Sequence, residues 1–421
     1  MSDIVNSARI GNTTALLKIS NSNLNIEIIN TAFIAACSNG HLEFASQIYQ
    51  KYPKLDIRDR NKHAFTLACK NGHLDIIIQI YIWCPHINIQ LEDEMAFRLA
   101  SEGGHLDIIK QLYSWCPHLN IHACDDYAFK MAAEGGHLPI IRQLYEWCPE
   151  IDITTGDNYA FRSSAENGHL QVLRQLYEWC PEIDIHTYNE YAFRYACRYG
   201  HLEVVRQLYE WCPNINISVY SEYAFRSACR GNFIDIVKQL YLWHPEIIHS
   251  TSYDDAFIVS SNNGHINIIK LLYFWKPYID TSIIETCFRY AAGAGYYDIV
   301  CQLYSWRPNI NIRAKNEYAL TIAAQAGHVD IVEYLLTLYT PTIYNISDVT
   351  HQEIIKLLNR ARTRHRLWLM EIINLDSAEC TICYTFPKNI VCTPCKHYYC
   401  LDCISTWLNK NNNCPYCRSI I

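Results

Sequence analysis

The stretch of sequence that decides the fold runs from Tyr191 to Pro213 and reads Tyr-Ala-Phe-Arg-Tyr-Ala-Cys-Arg-Tyr-Gly-His-Leu-Glu-Val-Val-Arg-Gln-Leu-Tyr-Glu-Trp-Cys-Pro. The segment from Tyr159 to Pro181, 32 residues earlier, is similar to it at most positions. A Gly-His pair or a variant of it marks ten copies of this unit, and all steps are 32 residues except one of 31. The copies are marked by Gly40, Gly72, Gly104, Gly136, Gly168, Gly200, Asn232, Gly264, Gly295 and Gly327. A fixed period of this length indicates stacked repeats, none of which can bury a core alone.

Each unit carries two helical patterns in succession. In the copy quoted above, the first places mostly small residues on one narrow stripe, namely Ala192, Phe193, Ala196 and Cys197. Gly200 then provides a left-handed C-terminal cap, because glycine adopts positive φ without steric cost. The second pattern has apolar residues at helical spacing from Leu202 to Cys212 and ends before a proline. We therefore expect two short helices in every unit.

The unit resembles the ankyrin repeat. The similarity lies in the pattern Ala-x-x-x-Gly-His-Leu-(Asp/Glu)-(Ile/Val)-(Ile/Val)-x-x-Leu, found from Ala68 to Ile80 and from Ala323 to Leu335. The sequence departs from the family in having Tyr-Ala-Phe-Arg for Thr-Pro-Leu-His, Trp-Cys-Pro for Gly-Ala-Asp, and a period one residue shorter. The resemblance implies an all-α solenoid of helix pairs over residues 1–345, with ten clear repeats after a degenerate N-terminal copy that caps the array. The abundance of Ile, Asn and Tyr is similar to that of ankyrin proteins of giant DNA viruses, which suggests a viral source.

A ladder of cysteines near the end of the second helix invites a metal or redox interpretation. Its members are Cys84, Cys116, Cys148, Cys180 and Cys212. Later copies have His244, Lys276 and Arg307 at the same place. Since a functional ladder would not tolerate these changes, we interpret the position as a packing site. The histidines of the Gly-His pairs, replaced by Phe and Tyr in two copies, and the repeat tryptophans are also assigned structural roles.

The positions that vary between copies are the better candidates for partner binding. They are the triplets at 90–92, 122–124, 154–156, 186–188 and 218–220. We expect them on projecting turns, where side chains are free of packing constraints. In ankyrin proteins this edge commonly binds protein partners, so the array is predicted to capture a protein. Surface drift without function is the alternative.

The last tenth of the chain has the composition of a metal site. Eight of the 20 cysteines follow residue 379. Disulfides would explain them in a secreted protein, but the start of the chain shows no basic segment before an apolar stretch. The candidate ligands are spaced Cys380-x2-Cys383, Cys395-x-His397, Cys400-x2-Cys403 and Cys414-x2-Cys417. Zinc takes four thiolate or imidazole ligands in a tetrahedron, so eight ligands predict two structural zinc ions.

The order of three Cys, one His and four Cys resembles that of the RING finger, in which two zinc sites interleave. The resemblance assigns Cys380, Cys383, Cys400 and Cys403 to the first zinc, and Cys395, His397, Cys414 and Cys417 to the second. It leaves Cys392 without a zinc. It also implies a small zinc-stabilised α+β domain over residues 377–421.

RING ubiquitin ligases hold a ubiquitin-conjugating enzyme in a shallow groove between the zinc loops. By the same resemblance, the groove residues are Ile382, Trp407 and Pro415. Arg418 occupies the place of the linchpin that hydrogen-bonds both the conjugating enzyme and ubiquitin. Catalysis of this kind is positioning. The thioester stays on the conjugating enzyme, and no cysteine of this chain need form a covalent intermediate with ubiquitin.

Residues 346–376 are predicted to cap the repeat array and to link it to the zinc module. The pattern predicts one helix over residues 351–373. Its cluster of arginines is interpreted as a solvated face, with a nuclear-localisation or anionic-surface patch as the alternative. These arginines are Arg360, Arg362, Arg364 and Arg366.

Charge and hydropathy exclude several classes of protein. The net charge is −7, and the first 345 residues carry 26 basic against 36 acidic residues. Nucleic-acid-binding proteins usually present a basic face, so we expect no nucleic-acid partner. No apolar run reaches the 18 residues typical of a membrane-spanning helix, so we expect no membrane association. We expect an intracellular protein, cytoplasmic or nuclear, and in a host cell if the source is viral.

Together these patterns predict a RING-type ubiquitin ligase. The array would capture a protein substrate, and the RING would recruit a ubiquitin-conjugating enzyme and promote transfer of ubiquitin to a substrate lysine. The main alternative is a non-enzymatic adaptor whose RING serves only in protein–protein assembly. A DNA-binding regulator comes third, because the acidic array disfavours it.

Overall fold

The computed structural model describes residues 2–14, 16, 26–52, 55, 62–341, 349–368, 370–373, 379–385, 390–411 and 413–420. The chain divides into two compact units, Met1–Ile236 and Val237–Ile421. The described helices of the first unit come mostly in pairs, joined by a short turn that contains the Gly-His pair. Along the chain they are Ser2–Ile10, Ile26–Ser38, Leu42–Lys51, Lys62–Lys70, Leu74–Trp83, Leu91–Glu102, Leu106–Trp115, Ala123–Glu134, Leu138–Trp147, Thr155–Glu166, Leu170–Trp179, Thr187–Tyr199, Leu202–Trp211 and Val219–Arg230.

The second unit begins within the helix Ile234–Trp243 and continues the repeat pattern before a different module starts. The 3-10 helix Pro245–His249 is followed by helices Thr251–Asn262, Ile266–Trp275, Thr281–Ala294, Tyr297–Trp306, Ala314–Ala326, Val329–Leu338 and Gln352–Trp368. Three short strands, β1 (Glu371–Ile373), β2 (Ile390–Cys392) and β3 (Tyr398–Cys400), then form an antiparallel sheet in that order, and the helix Leu401–Leu408 follows directly. The helix pairs and the small α+β module agree with the predicted fold class. Among the described residues, no helix is both long and apolar enough to cross a membrane.

The small-residue stripe of the first helix lies inside the stack of repeats. In the copy that begins at residue 191, Ala192, Phe193, Ala196 and Cys197 have no exposed surface. A phenylalanine is buried at the same place in most copies, as Phe33, Phe65, Phe97, Phe129, Phe161, Phe193, Phe225, Phe257 and Phe288. Burying one such side chain contributes about 2 kcal/mol. Each added neighbour therefore stabilises the repeats already present.

The Gly-His turn links each repeat to the next. Gly168 has a φ of +78°, and a Cβ on this residue would lie 2.4 Å from the ring of His201, one repeat later. The backbone also holds the ring in place. The Nε2 of His105 donates to the carbonyl of Lys70, 2.9 Å away, and other copies make the same bond. The structural role predicted for these histidines is confirmed.

The tryptophan at the end of the second helix stacks on a tyrosine of the preceding repeat. Within the two units the stacked pairs are Tyr49–Trp83, Tyr81–Trp115, Tyr113–Trp147, Tyr145–Trp179, Tyr177–Trp211, Tyr241–Trp275 and Tyr273–Trp306. Their ring centroids lie between 3.9 and 4.3 Å apart. Such a pair contributes about 1 kcal/mol beyond the burial of its surface. The tryptophans therefore join consecutive repeats, as their predicted structural role requires.

The arginine of Tyr-Ala-Phe-Arg stabilises an unusual turn that interrupts the start of the first helix of the repeat, inside the range Thr187–Tyr199. Tyr188, Asn189 and Glu190 all have positive φ, at 53°, 53° and 62°. A run of such residues is sterically costly for side chains other than glycine. Arg194 donates from Nε to the carbonyl of Asn189 at 2.6 Å and from Nη2 to that of Tyr188 at 2.9 Å. The guanidinium thus satisfies two carbonyls of the turn, which gives a physical reason for arginine at this place.

The variable triplets lie on these turns. Their first and third residues are exposed in the copies that begin at 122, 154, 186 and 218. Tyr188 and Tyr220, the third residues of two triplets, are 55% and 58% exposed. The exposure of these residues agrees with the prediction that the triplets are free of packing constraints, but the middle residues do not: Ala123 is 5% exposed, and its counterparts in the next three copies are half-buried.

The helix predicted over residues 351–373 is wrong at its C-terminal end. The helix Gln352–Trp368 stops earlier, and residues 371–373 form β1. Glu371 pairs with Cys392 and Ile373 with Ile390 in antiparallel register. This pairing satisfies backbone groups along one edge of β2, and the isoleucines in the sequence of β1 favour an extended backbone. A distant strand therefore overrides the local helical pattern. Arg360 is exposed and Arg362 half-buried, whereas the side chains of Arg364 and Arg366 lie outside the described residues.

We predict that Gly168→Ala is more damaging than Gly327→Ala. Both glycines have positive φ, at +78° and +86°, so alanine costs about 1 kcal/mol at either place. At Gly168 the new Cβ must also displace the ring of His201, whereas at Gly327 the nearest atom is 3.9 Å away. Hydrogen exchange of peptides that span each glycine would measure the local free energy of opening. Equal losses at the two positions would show that the glycine–imidazole contact adds nothing.

Candidate metal centre and the adjoining groove

The first group of four thiols brings a tight turn against the start of a helix. Cys380 and Cys383 flank a turn that closes at Tyr384, whose φ is +57° and whose N–H donates to the carbonyl of Cys380 at 2.8 Å. Cys400 ends β3 and caps the following helix, and its Sγ accepts the N–H of Cys403 at 3.4 Å. The four sulfur atoms therefore converge from two sequence pairs, as the resemblance to the RING finger implies.

The second group repeats this arrangement with one histidine. Cys395 and His397 lie in the loop between β2 and β3, separated by Lys396 at a φ of +60°. Cys414 and Cys417 flank a turn in which the Cys417 N–H donates to Cys414 Sγ at 3.5 Å. Each group has all its donor atoms within 4.8 Å of one another.

The distances between donor atoms fit zinc. Tetrahedral zinc with Zn–S of about 2.3 Å and Zn–N of about 2.05 Å separates two sulfurs by about 3.8 Å, and sulfur from nitrogen by about 3.6 Å. Cys383 Sγ and Cys400 Sγ are 3.8 Å apart. His397 Nδ1 lies 3.5 Å from Cys395 Sγ and 3.6 Å from Cys414 Sγ. The chemistry and the spacing of these donors thus agree with the two predicted zinc ions.

Neighbouring polar groups orient the ligands of the second site. The hydroxyl of Thr393 lies 3.1 Å from Cys395 Sγ. The phenol of the buried Tyr399 lies 3.0 Å from Cys414 Sγ and accepts the N–H of Tyr416 at 3.2 Å. Partners of this kind hold a ligand in the direction that the metal requires.

Two of the thiols are disposed to ionise. Hydrogen bonding to Thr385 lowers the pKa of Cys383 to about 6, and hydrogen bonding to Ser419 lowers that of Cys417 to about 6. Burial raises the pKa of Cys395 and that of Cys400. Since zinc binds the thiolate, each site combines an exposed thiol that ionises readily with others whose ionisation the metal must drive.

Cys392 stands apart from both groups. It ends β2, is half-buried, and its Sγ lies 3.5 Å from the Thr393 carbonyl. Among the described residues, the second group contains Cys395 and not Cys392. This grouping agrees with the prediction that Cys392 is the spare cysteine.

An apolar groove adjoins the first thiol group. It has a volume of about 390 Å³ and is lined by Ile382, Asp402, Cys403, Thr406, Trp407, Lys410 and Asn411. The structure therefore brings together two of the predicted groove residues, Ile382 and Trp407. Pro415 and Arg418 are not part of this lining: the first is half-buried in the turn at 415–417, and the second is exposed.

Sequence reasoning missed the polar residues of the groove. Asp402, Thr406 and Lys410 are spaced four apart, and Cys403, Trp407 and Asn411 are spaced in the same way. Residues four apart lie on one face of a helix. Helical periodicity around Trp407 could therefore have identified them.

Trp407 also has a structural role. Its indole Nε1 donates to the carbonyl of Asn413 at 2.8 Å, and the ring packs against the core of the zinc module. The buried members of that core are Met370, Cys380, Val391, Tyr399, Ile404, Leu408 and Cys414. Ile382, by contrast, is 37% exposed, so its side chain is available to a partner at little cost to the core.

Comparison with known families agrees with this geometry. Residues 376–421 match the family described as zinc finger, C3HC4 type (RING finger). Residues 129–223 match the family of ankyrin repeats in three copies, and residues 315–348 match a single ankyrin repeat. The chain thus contains ankyrin repeats and a C-terminal RING domain of the C3HC4 type.

The curated relatives match a short part of this chain. Human RING finger protein 141 is 38% identical over 53 residues, which are 12% of this chain and 23% of that protein. E3 ubiquitin-protein ligase RNFT1 of Xenopus tropicalis is 49% identical over 43 residues, or 10% of each chain. The chain thus spans less than a quarter of the length of these relatives. An ankyrin repeat family protein from Legionella pneumophila aligns with 80% of this chain and 86% of its own, at 19% identity and a TM-score of 0.28.

We predict that Cys395→Ser lowers the zinc content, whereas Cys392→Ser leaves it at two ions per chain. Only the first substitution removes a donor from a group of four. Native mass spectrometry of the full chain, after dialysis against a mild chelator that removes weakly held metal, would give the stoichiometry. Loss of zinc from Cys392→Ser but not from Cys395→Ser would overturn the ligand assignment.

Proposed function

We propose that this protein is a RING-type ubiquitin ligase. Its ankyrin repeats would capture a protein substrate, and its RING would recruit a ubiquitin-conjugating enzyme and promote transfer of ubiquitin to a substrate lysine. The observation that carries the proposal is the apolar groove that Ile382 and Trp407 share beside the first zinc site. A module with a purely structural role has no need of an exposed isoleucine at this place.

The groove has the features of a small protein-binding site. An aliphatic and an aromatic side chain provide apolar anchors, and Asp402 and Lys410 place one charge of each sign on its rim. Most of the binding energy of a protein interface comes from a few such anchors, and polar residues around them contribute specificity. The ligase activity in the name of RNFT1 is that of another protein. We take its similarity to this chain as support for the same function here.

The mechanism we propose is positioning without covalent catalysis by this chain. The ubiquitin thioester would remain on the conjugating enzyme, and the RING would hold the bound ubiquitin in a reactive orientation. Arg418 is suited to this task because it is exposed and its backbone is fixed to the second zinc loop. Its N–H donates to the carbonyl of Cys414 at 3.0 Å. The zinc ions would serve as closed structural sites, because every coordination position is taken by a side chain.

Substrate capture is assigned to the variable turns of the repeats. Arg162 lies over the ring of Tyr188 at 4.6 Å, and Arg194 lies over that of Tyr220 at 4.8 Å. These contacts hold two exposed tyrosines in defined orientations. Tyrosine and arginine are enriched at protein interfaces, and a preorganised side chain loses less entropy on binding. We therefore propose a protein partner for this edge, and neither a nucleic acid nor a membrane.

We propose that the protein acts inside cells, in the cytoplasm or nucleus. Thiol-rich zinc sites and the cysteines of the repeats are compatible with a reducing compartment. We also propose a giant-virus source, from the abundance of Ile, Asn and Tyr in the repeats, and with it a host cell as the place of action.

We predict that Ile382→Ala abolishes autoubiquitination while Ile420→Ala does not. Both remove an exposed isoleucine side chain from the RING, but only Ile382 lines the groove. Loss of a central anchor often costs 2 kcal/mol or more, which is about a 30-fold loss of affinity. A reconstituted reaction with purified conjugating enzymes would measure the rate, with zinc content and melting temperature as controls. Trp407→Ala is the weaker test, because Trp407 also supports the fold.

We predict a different defect for Arg418→Ala. Binding to the uncharged conjugating enzyme should persist, but discharge of ubiquitin from the thioester to free lysine should slow at least tenfold. The reason is that the guanidinium would act on the ubiquitin-bound state and not on recruitment. Binding measurements and single-turnover discharge separate the two effects.

The adaptor alternative makes the opposite forecast. If the intact zinc-loaded protein gives no discharge above background with a broad panel of conjugating enzymes, the ligase proposal is wrong. Unchanged activity of Ile382→Ala would reject the groove as the recruitment site.

A further inference from the structure

A third group of side chains that could bind a metal ion lies in the repeats of the first unit. Its buried member is Cys148, which is only 5% exposed. Its Sγ lies 3.0 Å from Nε2 of His122, on the variable turn of the preceding repeat. The other ring nitrogen of His122, Nδ1, lies 2.6 Å from the carboxylate of Asp126.

Glu150 completes the cluster. One donor atom from each of His122, Cys148 and Glu150 lies within 4.8 Å of the others. His122 and Glu150 are exposed, so the cluster is open to solvent above a buried thiol. Thiol, imidazole and carboxylate are three of the ligand types that zinc accepts, and a site with three protein ligands leaves a fourth position open.

The carboxylate of Asp126 orients the imidazole for metal binding. It fixes the proton on Nδ1 and leaves Nε2 directed at the thiol. Metal-bound histidines typically use a carboxylate in this way, and the partner also raises the basicity of the ligand nitrogen. Asp126 itself is 7% exposed, so the pair is held by the fold.

Two other copies of the repeat each lack one of these three ligands. The copy 64 residues later has His186, Glu190 and Cys212, with Cys212 Sγ 3.3 Å from His186 Nε2, but Asn214 stands where Glu150 would be. The copy between them has Cys180 and Glu182, but Thr154 stands in place of the histidine.

We propose that His122, Cys148 and Glu150 form a third metal site, which binds a zinc-class divalent cation with one coordination position open to solvent. Asp126 is a positioning residue of this site. The cysteine position remains a packing site in the other copies, and here the turn of one repeat and the end of the next add the missing ligands. The inference does not depend on the ubiquitin ligase proposal.

The site should bind metal more weakly than the RING does. In the RING, His397 Nδ1 is already 3.5 and 3.6 Å from its two sulfur neighbours. His122 and Cys148 are instead at the 3.0 Å of a hydrogen bond, so a cation must separate them by about half an ångström to reach the tetrahedral distance of about 3.6 Å. The His122 side chain is 44% exposed and can make that movement.

Cobalt titration of the full chain with zinc-loaded RING sites tests the proposal. Tetrahedral cobalt with one thiolate gives a charge-transfer band. We expect one equivalent of cobalt per wild-type chain, competed by zinc. Cys148→Ser should lose the band, and His122→Thr should weaken binding at least tenfold. Cys180→Ser, a thiol of the same kind without a histidine, should behave like the wild type.

Natural substitutions keep the test free of folding artefacts. Threonine replaces His122 and asparagine replaces Glu150 in other copies, so His122→Thr and Glu150→Asn should fold, which circular dichroism would check. Asn214→Glu should create a second equivalent of bound cobalt at His186 and Cys212. The proposal is overturned if the zinc-loaded wild type binds no further cobalt, or if the band persists in both Cys148→Ser and His122→Thr.

Discussion

The contact between the glycine of one repeat and the aromatic ring of the next is the constraint on which the array depends. A side chain on the glycine would enter the ring, and the positive φ excludes most residues in any case. Where histidine is replaced, Phe233 packs on Gly200 and Tyr296 on Gly264 in the same way. The flat ring is therefore the shared feature, and the hydrogen bond from histidine is an addition. This contact sets the repeat spacing, and the spacing in turn aligns the buried phenylalanines, the Tyr–Trp stacks and the projecting turns.

Sequence periodicity predicted those features that covalent spacing controls. Helix pairs, the left-handed Gly168 and the eight zinc ligands follow from residues at fixed separations, and the resemblance to the RING finger divided these ligands into two groups of four. Features that depend on distant partners were not predictable in this way. The strand β1 forms only because β2 offers an edge, and the left-handed turn at 188–190 depends on Arg194 reaching back to it. The polar residues of the groove could have been predicted from helical spacing around Trp407, but the sequence analysis named only the tryptophan from this helix.

A single repeat and the RING are both too small to bury a sufficient core alone, and they are stabilised in different ways. A 32-residue repeat buries its helices against its neighbours, so each copy depends on the next. The zinc module, which includes Met370 and β1 in addition to the RING residues, has a short three-stranded sheet, a two-turn helix and a small core in which two of the seven buried residues, Cys380 and Cys414, are also ligands. Domains of this size rarely gain enough from burial alone and commonly use metal ions. Metal removal should therefore unfold the RING and leave the repeats of the first unit folded.

New ligand sites can arise in the repeats because packing and variable residues occupy different positions of the unit. The residues that hold consecutive copies together are buried or half-buried and recur in most copies, whereas the turn residues and the residues after the tryptophan vary from copy to copy. A cysteine that only fills space in one copy becomes a potential ligand when the preceding turn carries histidine and the following residues carry glutamate. Because Asp126 and Glu190 occupy the same place and orient His122 and His186 alike, the difference between the two copies reduces to Glu150 against Asn214. One carboxylate thus separates a packing contact from the proposed site with three protein ligands.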